Sequence, residues 1–182
     1  MRRYGPAAVF AAAGLTVAAC AGVDRINHVT YDGYSAADLG YAVGNGAVPV
    51  RVLGAPAEGL ETADIARRVG AAMRGANPGP VIDYGVYDGT SPAGYVMTVR
   101  FGQAAPARDI CADDAPSGVG TDYAAAFCKD GKALSYLAGN AGSADIASAG
   151  FRRAMAGAAS QLLPLENPEY EDDDEGSWIP KS

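Results

Sequence analysis

Histidine is the side chain that most often transfers protons near neutral pH, and His28 is the only histidine of this chain. A serine or cysteine nucleophile activated by a histidine base would therefore have to use it. A general base must be held in place by surrounding structure, and His28 lies in a polar segment, far along the chain from any apolar element. We predict that His28 is solvated and that the chain has no nucleophilic catalytic residue.

Aspartates are the remaining candidates for acid–base chemistry or metal binding. Asp83, Asp88 and Asp113 would form a carboxylate site if the fold brought them into one cleft. Asp113-Asp114 near Asp109, or Asp83 with Asp88, would offer oxygen ligands, but neither group has the spacing or the glycine of an EF-hand loop. We therefore expect these side chains to solubilise loops, and we predict no metal site.

Two glycine-rich stretches, GVGTDY and GNAGSAD, are candidates for phosphate-binding loops. Neither has the P-loop pattern or the GxGxxG pattern that follows a strand and opens a helix. Both are typical of turns, so the sequence predicts no cofactor.

The N-terminus combines Arg2 and Arg3 with an uncharged run of small and apolar residues from 7 to 19. The run falls well short of the roughly 20 residues that a helix needs to span the hydrocarbon core of a bilayer. A basic start, a short apolar stretch and small residues before a cleavage site are typical of a secretory signal. Residues 1–19 are therefore predicted to be a signal peptide, with a buried alanine-rich helix as the alternative.

The end of this run, Val17-Ala18-Ala19-Cys20, resembles the lipobox of bacterial lipoproteins. The resemblance implies that the Cys20 sulfur receives a diacylglycerol, that the signal is cleaved before Cys20, and that the new N-terminus is acylated. Three chains would anchor the protein stably, since stable anchoring needs at least two. Ala21, where an aspartate would retain a lipoprotein in the inner membrane, favours the outer membrane. Residues 20–38 are expected to form a tether.

Two further cysteines, Cys111 and Cys128, remain after Cys20. A secretory signal implies an oxidising compartment, where an even pair of cysteines indicates a disulfide. The bridge would close a loop of about 17 residues and stabilise the fold by roughly 3 kcal/mol. A metal or redox pair is the alternative, but no histidine is near and the spacing is not CxxC.

The formal charge of −7 is concentrated in the tail, residues 166–182, which holds seven of the 21 acidic residues. The tail is too acidic and too poor in apolar residues to fold, so we predict disorder. An interaction segment is the alternative, because Trp178 is an unusual residue for an inert tail. The chain has no basic stripe, which excludes nucleic acid as an expected partner.

The domain between tether and tail, residues 39–165, shows both strand and helix patterns. Residues 62–74 and 147–163 have apolar residues at helical spacing. Strand patterns cover residues 48–53, 80–87 and 94–101, the last with the clearest alternation, and residues 39–43 alternate loosely as a first strand. Lys129-Asp130-Gly131 predicts a hairpin turn between strands over 121–128 and 132–137. The predicted order is β-β-α-β-β-β-β-α. It indicates an α+β fold, a two-layer sandwich of a mostly antiparallel sheet with two helices on one face.

Five features resemble a group of small alphaproteobacterial lipoproteins that have no assigned activity. They are the patches PVRVLGAP, GYVMTVRFG, AAAFCKDGKALSYLAG and FRRAMAGAASQLLPLENP and the lone Cys111 in a loop, and they span about residues 48–168. The chain departs from the group at residues 54–57, where GAPA replaces a GNPF-like sequence and lacks its aromatic residue. The resemblance implies a location and an architecture but no catalytic residue.

These observations lead to three hypotheses about function. The first is a non-enzymatic domain, anchored to the membrane through lipidated Cys20, that binds an envelope protein or the cell wall. The second is an envelope enzyme that uses carboxylates such as Asp83, Asp88 or Asp113 in a cleft. The third is a purely structural anchor protein.

Overall fold

The computed structural model describes residues 25–102, 106–114 and 116–169. Within these residues the chain forms six strands and three α-helices. The strands are β1 (Arg25–Thr30), β2 (Val48–Leu53), β3 (Tyr84–Val86), β4 (Tyr95–Phe101), β5 (Asp122–Lys129) and β6 (Lys132–Asn140). The helices are α1 (Ala36–Gly44), α2 (Thr62–Met73) and α3 (Ala149–Leu162).

All six strands belong to one sheet in the order β1-β6-β5-β4-β2-β3. The pairs β1–β6, β6–β5 and β5–β4 are antiparallel, whereas β2 pairs in parallel with both β4 and β3. The β2–β3 pair is parallel because α2 carries the chain back before β3 begins, and parallel neighbours need such a crossover. The predicted α+β fold with a mostly antiparallel sheet is confirmed.

The two predicted helices, α2 and α3, pack on the sheet and on each other. Their apolar stripes are fully buried, and they join the inward side chains of the strands in one core. The members from the two helices include Ile65, Val69, Met73, Phe151, Met155 and Leu162.

Strand β4 is buried on both faces. Tyr95, Met97, Val99 and Phe101 face the helical layer, as the alternation predicts. Val96, Thr98 and Arg100 alternate with them and are buried too, so β4 has no solvent face. A second apolar cluster on this opposite side contains Val96 and parts of the 106–114 segment, which covers the sheet there.

The predicted first strand, residues 39–43, is wrong: this segment lies in α1. Ser35 caps the helix, since its Oγ accepts a hydrogen bond from the Asp38 N–H at 3.3 Å. Leu39 and Ala42 are buried three residues apart, which is a helical spacing. The segment is too short for the loose alternation to outweigh this cap.

The predicted tether, residues 20–38, is corrected from residue 25 onward. Residues 25–30 form β1, which pairs with β6 and contains His28, and α1 begins at residue 36. An edge strand with mostly exposed side chains shows little alternation in burial, so its sequence looks like a polar linker. His28 is exposed, as expected, and its ring centroid lies 6.4 Å from that of Tyr136. Residues 20–24 lie outside the described part of the chain.

The folded domain also continues past residue 165. The buried Asn167 donates its Nδ2 hydrogen bond to the Tyr34 carbonyl at 3.0 Å. Glu169 accepts a hydrogen bond from the Tyr31 N–H at 3.0 Å. The tail boundary at 166 is therefore too early, and the predicted disorder of residues 170–182 falls on residues that the structure does not describe.

Helix α1 is fixed to the sheet by a charged cluster. The Asp38 carboxylate accepts hydrogen bonds from the Tyr95 hydroxyl at 2.7 Å and from Lys129 Nζ at 3.0 Å. Lys129 Nζ also lies 5.0 Å from the centroid of the Tyr95 ring. Burial alone raises the pKa of Asp38, but hydrogen bonds from Tyr95, Ser35 and Lys129 and the Lys129 charge outweigh it, so the net pKa lies below its ordinary value.

We expect Asp38→Asn to lower the free energy of unfolding by about 1 kcal/mol at neutral pH. The folded-state pKa of Asp38 is depressed, so its stabilisation is present above the unfolded pKa and is lost as pH falls through the folded pKa. The variant and the parent protein should therefore converge in stability in acid. Urea unfolding across this pH range measures the difference. Asp64→Asn, which removes an exposed ion pair with Arg67, is the control, and an Asp38→Asn difference that persists in acid would contradict the prediction.

Candidate functional site

A cavity of about 250 Å³ opens on the face of the sheet opposite the helices. It lies beside the ends of β3 and β5 and beneath the 106–114 segment, which we call the cover segment. The lining residues combine one arginine, two aspartates, one serine, one tyrosine and a pair of cysteines; we call this space the Arg51 cavity. Its polar members are Arg51, Tyr87, Ser91, Asp113 and Asp130.

A disulfide fixes the cover segment to the sheet at the wall of the cavity. Cys111 in the cover segment and Cys128 on β5 have their sulfur atoms 2.06 Å apart and their Cα atoms 6.0 Å apart. Both cysteines are almost fully buried. The predicted disulfide between Cys111 and Cys128 is therefore confirmed.

Arg100 supports the cover segment from below. The side chain is 0 % exposed, and its Nε donates to the Ile110 carbonyl at 2.8 Å while Nη2 donates to the Ala112 carbonyl. Burial, together with the nearby Arg51 charge, lowers the pKa of Arg100. The guanidinium stays protonated at any physiological pH, so two carbonyl groups of the cover segment accept hydrogen bonds from a buried cation.

Arg51 forms the floor of the Arg51 cavity. Its Nη2 donates to Thr98 Oγ1 at 3.2 Å and to the Cys111 carbonyl, and its Cζ lies 5.7 Å from the centroid of the Tyr87 ring. Its Nη1 is paired with the carboxylate of Asp113. The Arg51 side chain is 12 % exposed, whereas that of Asp113 is 90 % exposed. The arginine is therefore held by several groups of which only Asp113 lies mostly in solvent.

The guanidinium of Arg51 retains an unused donor. Its Nε is buried and has no hydrogen-bond partner among the described residues. A buried donor without a partner costs free energy and calls for an explanation. Arg51 is thus a permanent cation that is held in position and has one N–H group without a hydrogen-bond partner among the described residues.

Arg51 equips the cavity to bind an anionic group. Arginine recognises carboxylates and phosphates through its planar donor fork and does not act as a base. Both lining cysteines are joined in the disulfide. The Ser91 hydroxyl donates to the Tyr95 carbonyl at 2.5 Å, so its proton is engaged with the backbone.

The predicted carboxylates lie in three separate places. Asp113 lines the Arg51 cavity, whereas Asp83 lines a different groove between α2 and β3 and pairs with Arg74 at 3.0 Å. Asp88 accepts hydrogen bonds from the backbone N–H and the hydroxyl of Thr90, at 3.0 and 2.6 Å, which is a local turn. The fold does not bring these three side chains into one cleft.

The remaining predicted site residue, Cys20, lies outside the described residues. Sequence reasoning missed Arg51 and Arg100 as site residues. The available signal was an arginine within each of two strongly apolar strands, VPVRVL and YVMTVRF, because an arginine inside such a strand must find polar partners on burial.

Among the described residues, no group of three or more histidine, cysteine, aspartate or glutamate side chains is placed to hold a metal ion. In the same part of the chain, no helix is long and apolar enough to cross a membrane.

Comparison with known proteins adds no family to this description. The chain matches no protein-family model, no curated protein and no solved structure.

Proposed function

We propose that the chain is a lipid-anchored, non-enzymatic binding domain of the cell envelope, attached through Cys20 and facing the periplasm. The observation that carries this proposal is the division of the three cysteines. The disulfide uses Cys111 and Cys128, and the third cysteine is the one in the lipobox-like Val17-Ala18-Ala19-Cys20. Structural disulfides are typical of oxidising compartments such as the periplasm, which agrees with a secretory signal.

The Arg51 cavity supports a binding role over the other two hypotheses. The carboxylates named for an envelope enzyme, Asp83, Asp88 and Asp113, lie in three separate places. Asp113 does share the Arg51 cavity with Asp130, but its carboxylate is paired with Arg51, an arrangement that favours binding of a charged group. A purely structural anchor would not require a cavity with a mostly buried arginine held by several hydrogen bonds. An envelope protein or a cell-wall component remains the proposed partner class, and the outer membrane is the proposed location.

Metabolic labelling with a radioactive fatty acid tests the anchor. We expect the full-length chain to incorporate label and to fractionate with membranes, because acyl chains on Cys20 bind the bilayer. Cys20→Ala should abolish both, whereas Ala21→Ser, a matched change next to the same site, should keep both. Label that persists in Cys20→Ala, or an unlabelled parent chain, would reject the anchor.

A further inference from the structure

We propose that the Arg51 cavity binds a small zwitterionic ligand, an amino acid or the end of a short peptide, through one carboxylate and one ammonium group. In this complex the ligand carboxylate replaces Asp113 on the Arg51 guanidinium. The ligand ammonium lies against the carboxylates of Asp113 and Asp130. This inference deepens the proposed binding role by naming the ligand class, and it rests on that role.

The first step of the argument is that Arg51 stays in place without Asp113. Thr98 Oγ1, the Cys111 carbonyl and the Tyr87 ring hold the guanidinium from the protein side. Asp113 approaches from solvent and is 90 % exposed. An ion pair whose carboxylate lies in solvent adds little stability, so a carboxylate from solution can take the place of Asp113.

The second step is that the guanidinium is underused. The buried Nε has no partner among the residues that the structure describes. Nη2 donates to Thr98 and to the Cys111 carbonyl, whereas Nη1 donates to Asp113 alone among the described residues. Nη1 is therefore the donor that a ligand carboxylate can take over. The Arg51 floor is thus a carboxylate-binding group in which Asp113 acts as an internal substitute.

The third step is the charge of the lining. Arg51 contributes one positive charge, and Asp113 and Asp130 contribute two negative charges. This balance disfavours a phosphate or other multivalent anion, which two carboxylates would repel. A simple cation is disfavoured too, because it would meet the guanidinium at the floor. A ligand with one charge of each sign complements both ends.

The cavity volume, about 250 Å³, suits a ligand of this size. A larger peptide would have to leave most of its length outside, so only its terminus would be recognised. Free amino acids and peptide ends share the required chemistry, and the experiment must therefore distinguish them.

The experiment is a titration of the ¹⁵N-labelled full-length chain in uncharged detergent micelles, followed through the backbone amides of Gly94 and Gly131. The probes are glycine, triglycine, acetate and methylammonium. We expect saturable shifts with glycine if the site takes a free amino acid, or with triglycine if it takes a peptide end, and weaker binding of the two singly charged probes. No saturable shift with either zwitterion, or acetate binding as tightly as both, would overturn the proposal.

Charge-removing variants sharpen the test. Asp130→Asn keeps a residue that tolerates the positive φ of 49° at this turn. It should weaken zwitterion binding about threefold, as expected for loss of one exposed charge pair, and should not weaken acetate binding. Asp113→Asn should strengthen acetate binding because the internal competitor is gone. Glu58→Gln, an exposed change outside the cavity lining, is the control.

Opposite results from these variants would count against the ligand class. Asp130→Asn without effect on the zwitterion, or Asp113→Asn without effect on acetate, would overturn the assigned contacts. Fatty-acid labelling separates this failure from failure of the anchor. Absent binding with intact labelling rejects the ligand alone, and intact binding without labelling rejects the anchor alone.

Discussion

Gly54→Ala and Gly102→Ala should each lower the free energy of unfolding by about 3–5 kcal/mol, among the largest effects expected for single substitutions. Both glycines have positive φ, 71° and 83°, which an alanine adopts only at a cost. Both also lie where three backbone segments meet. A side chain at either position would have to separate these segments.

The meeting point is held by backbone hydrogen bonds. The Ala55 N–H donates to the Gly118 carbonyl, and the Gly118 N–H donates to the Phe101 carbonyl, both at 2.9 Å. A Cβ added to Gly54 would lie 2.8 Å from the Phe101 carbonyl oxygen and closer still to that of Gly118. A Cβ on Gly102 would lie 2.7 Å from the Gly118 Cα. Backbone atoms cannot rotate away as side chains can, so the strand ends must shift.

Gly33→Ala is the matched control for these substitutions. Gly33 has a similar φ of 81°, but a Cβ there would meet nothing within 4 Å. It should cost only the backbone strain, about 1–2 kcal/mol. Urea unfolding of the three variants measures the comparison. An equal loss of unfolding free energy in all three variants would show that the close backbone contact at Gly118 adds nothing to the cost of the substitutions.

Removal of the disulfide should have the second largest effect. We expect Cys111→Ala with Cys128→Ala to lower the free energy of unfolding by about 3 kcal/mol, because the bridge restricts a loop of about 17 residues in the unfolded chain. The bridge also holds the cover segment over β5. Amides of the cover segment, such as that of Ile110, should therefore exchange with solvent faster in the variant than in the parent protein. The exchange rates of the β4 amides should increase less.

Two measurements check this prediction. Unfolding by urea with and without reductant should differ for the parent protein and coincide for the double variant, which is the control. Free thiols counted in the denatured, unreduced parent protein should not include Cys111 or Cys128. Two free thiols from this pair without reductant would contradict the disulfide.

The sequence predicts those helices and strands whose own pattern of apolar residues shows which side chains are buried. Ile65, Val69 and Met73 form a helical stripe, and the regular alternation of β4 predicts the strand, although both of its faces are buried. The sequence does not predict β1 or α1. β1 is defined by its hydrogen bonds to β6 rather than by its own apolar residues, and α1 is so short that a single cap decides between helix and strand.

The candidate site was predictable only in part. Asp113 was singled out as a carboxylate, but its position depends on Arg51, which lies 62 residues away in sequence. Such a pair arises because β2 and β4 are neighbours and the disulfide brings the cover segment across them. No local sequence pattern predicts that three distant segments will be in contact. An arginine in an apolar strand does indicate that this one residue needs polar partners.

The early start of β1 sets the geometry of an anchored protein. If Cys20 carries lipid, only residues 21–24 lie between it and the sheet. The distance from Cys20 to Arg25 is then at most about 18 Å. Arg25 is level with Asn140 and Asp122, whereas Cys128 and the hairpin turn bordering the Arg51 cavity lie about 20 Å further along the strands. Arg25, the first residue that the structure describes, and the cavity are thus at opposite ends of the sheet. Lipid on Cys20 would keep the Arg25 end of the sheet within about 18 Å of the bilayer, with the Arg51 cavity about 20 Å further along the strands.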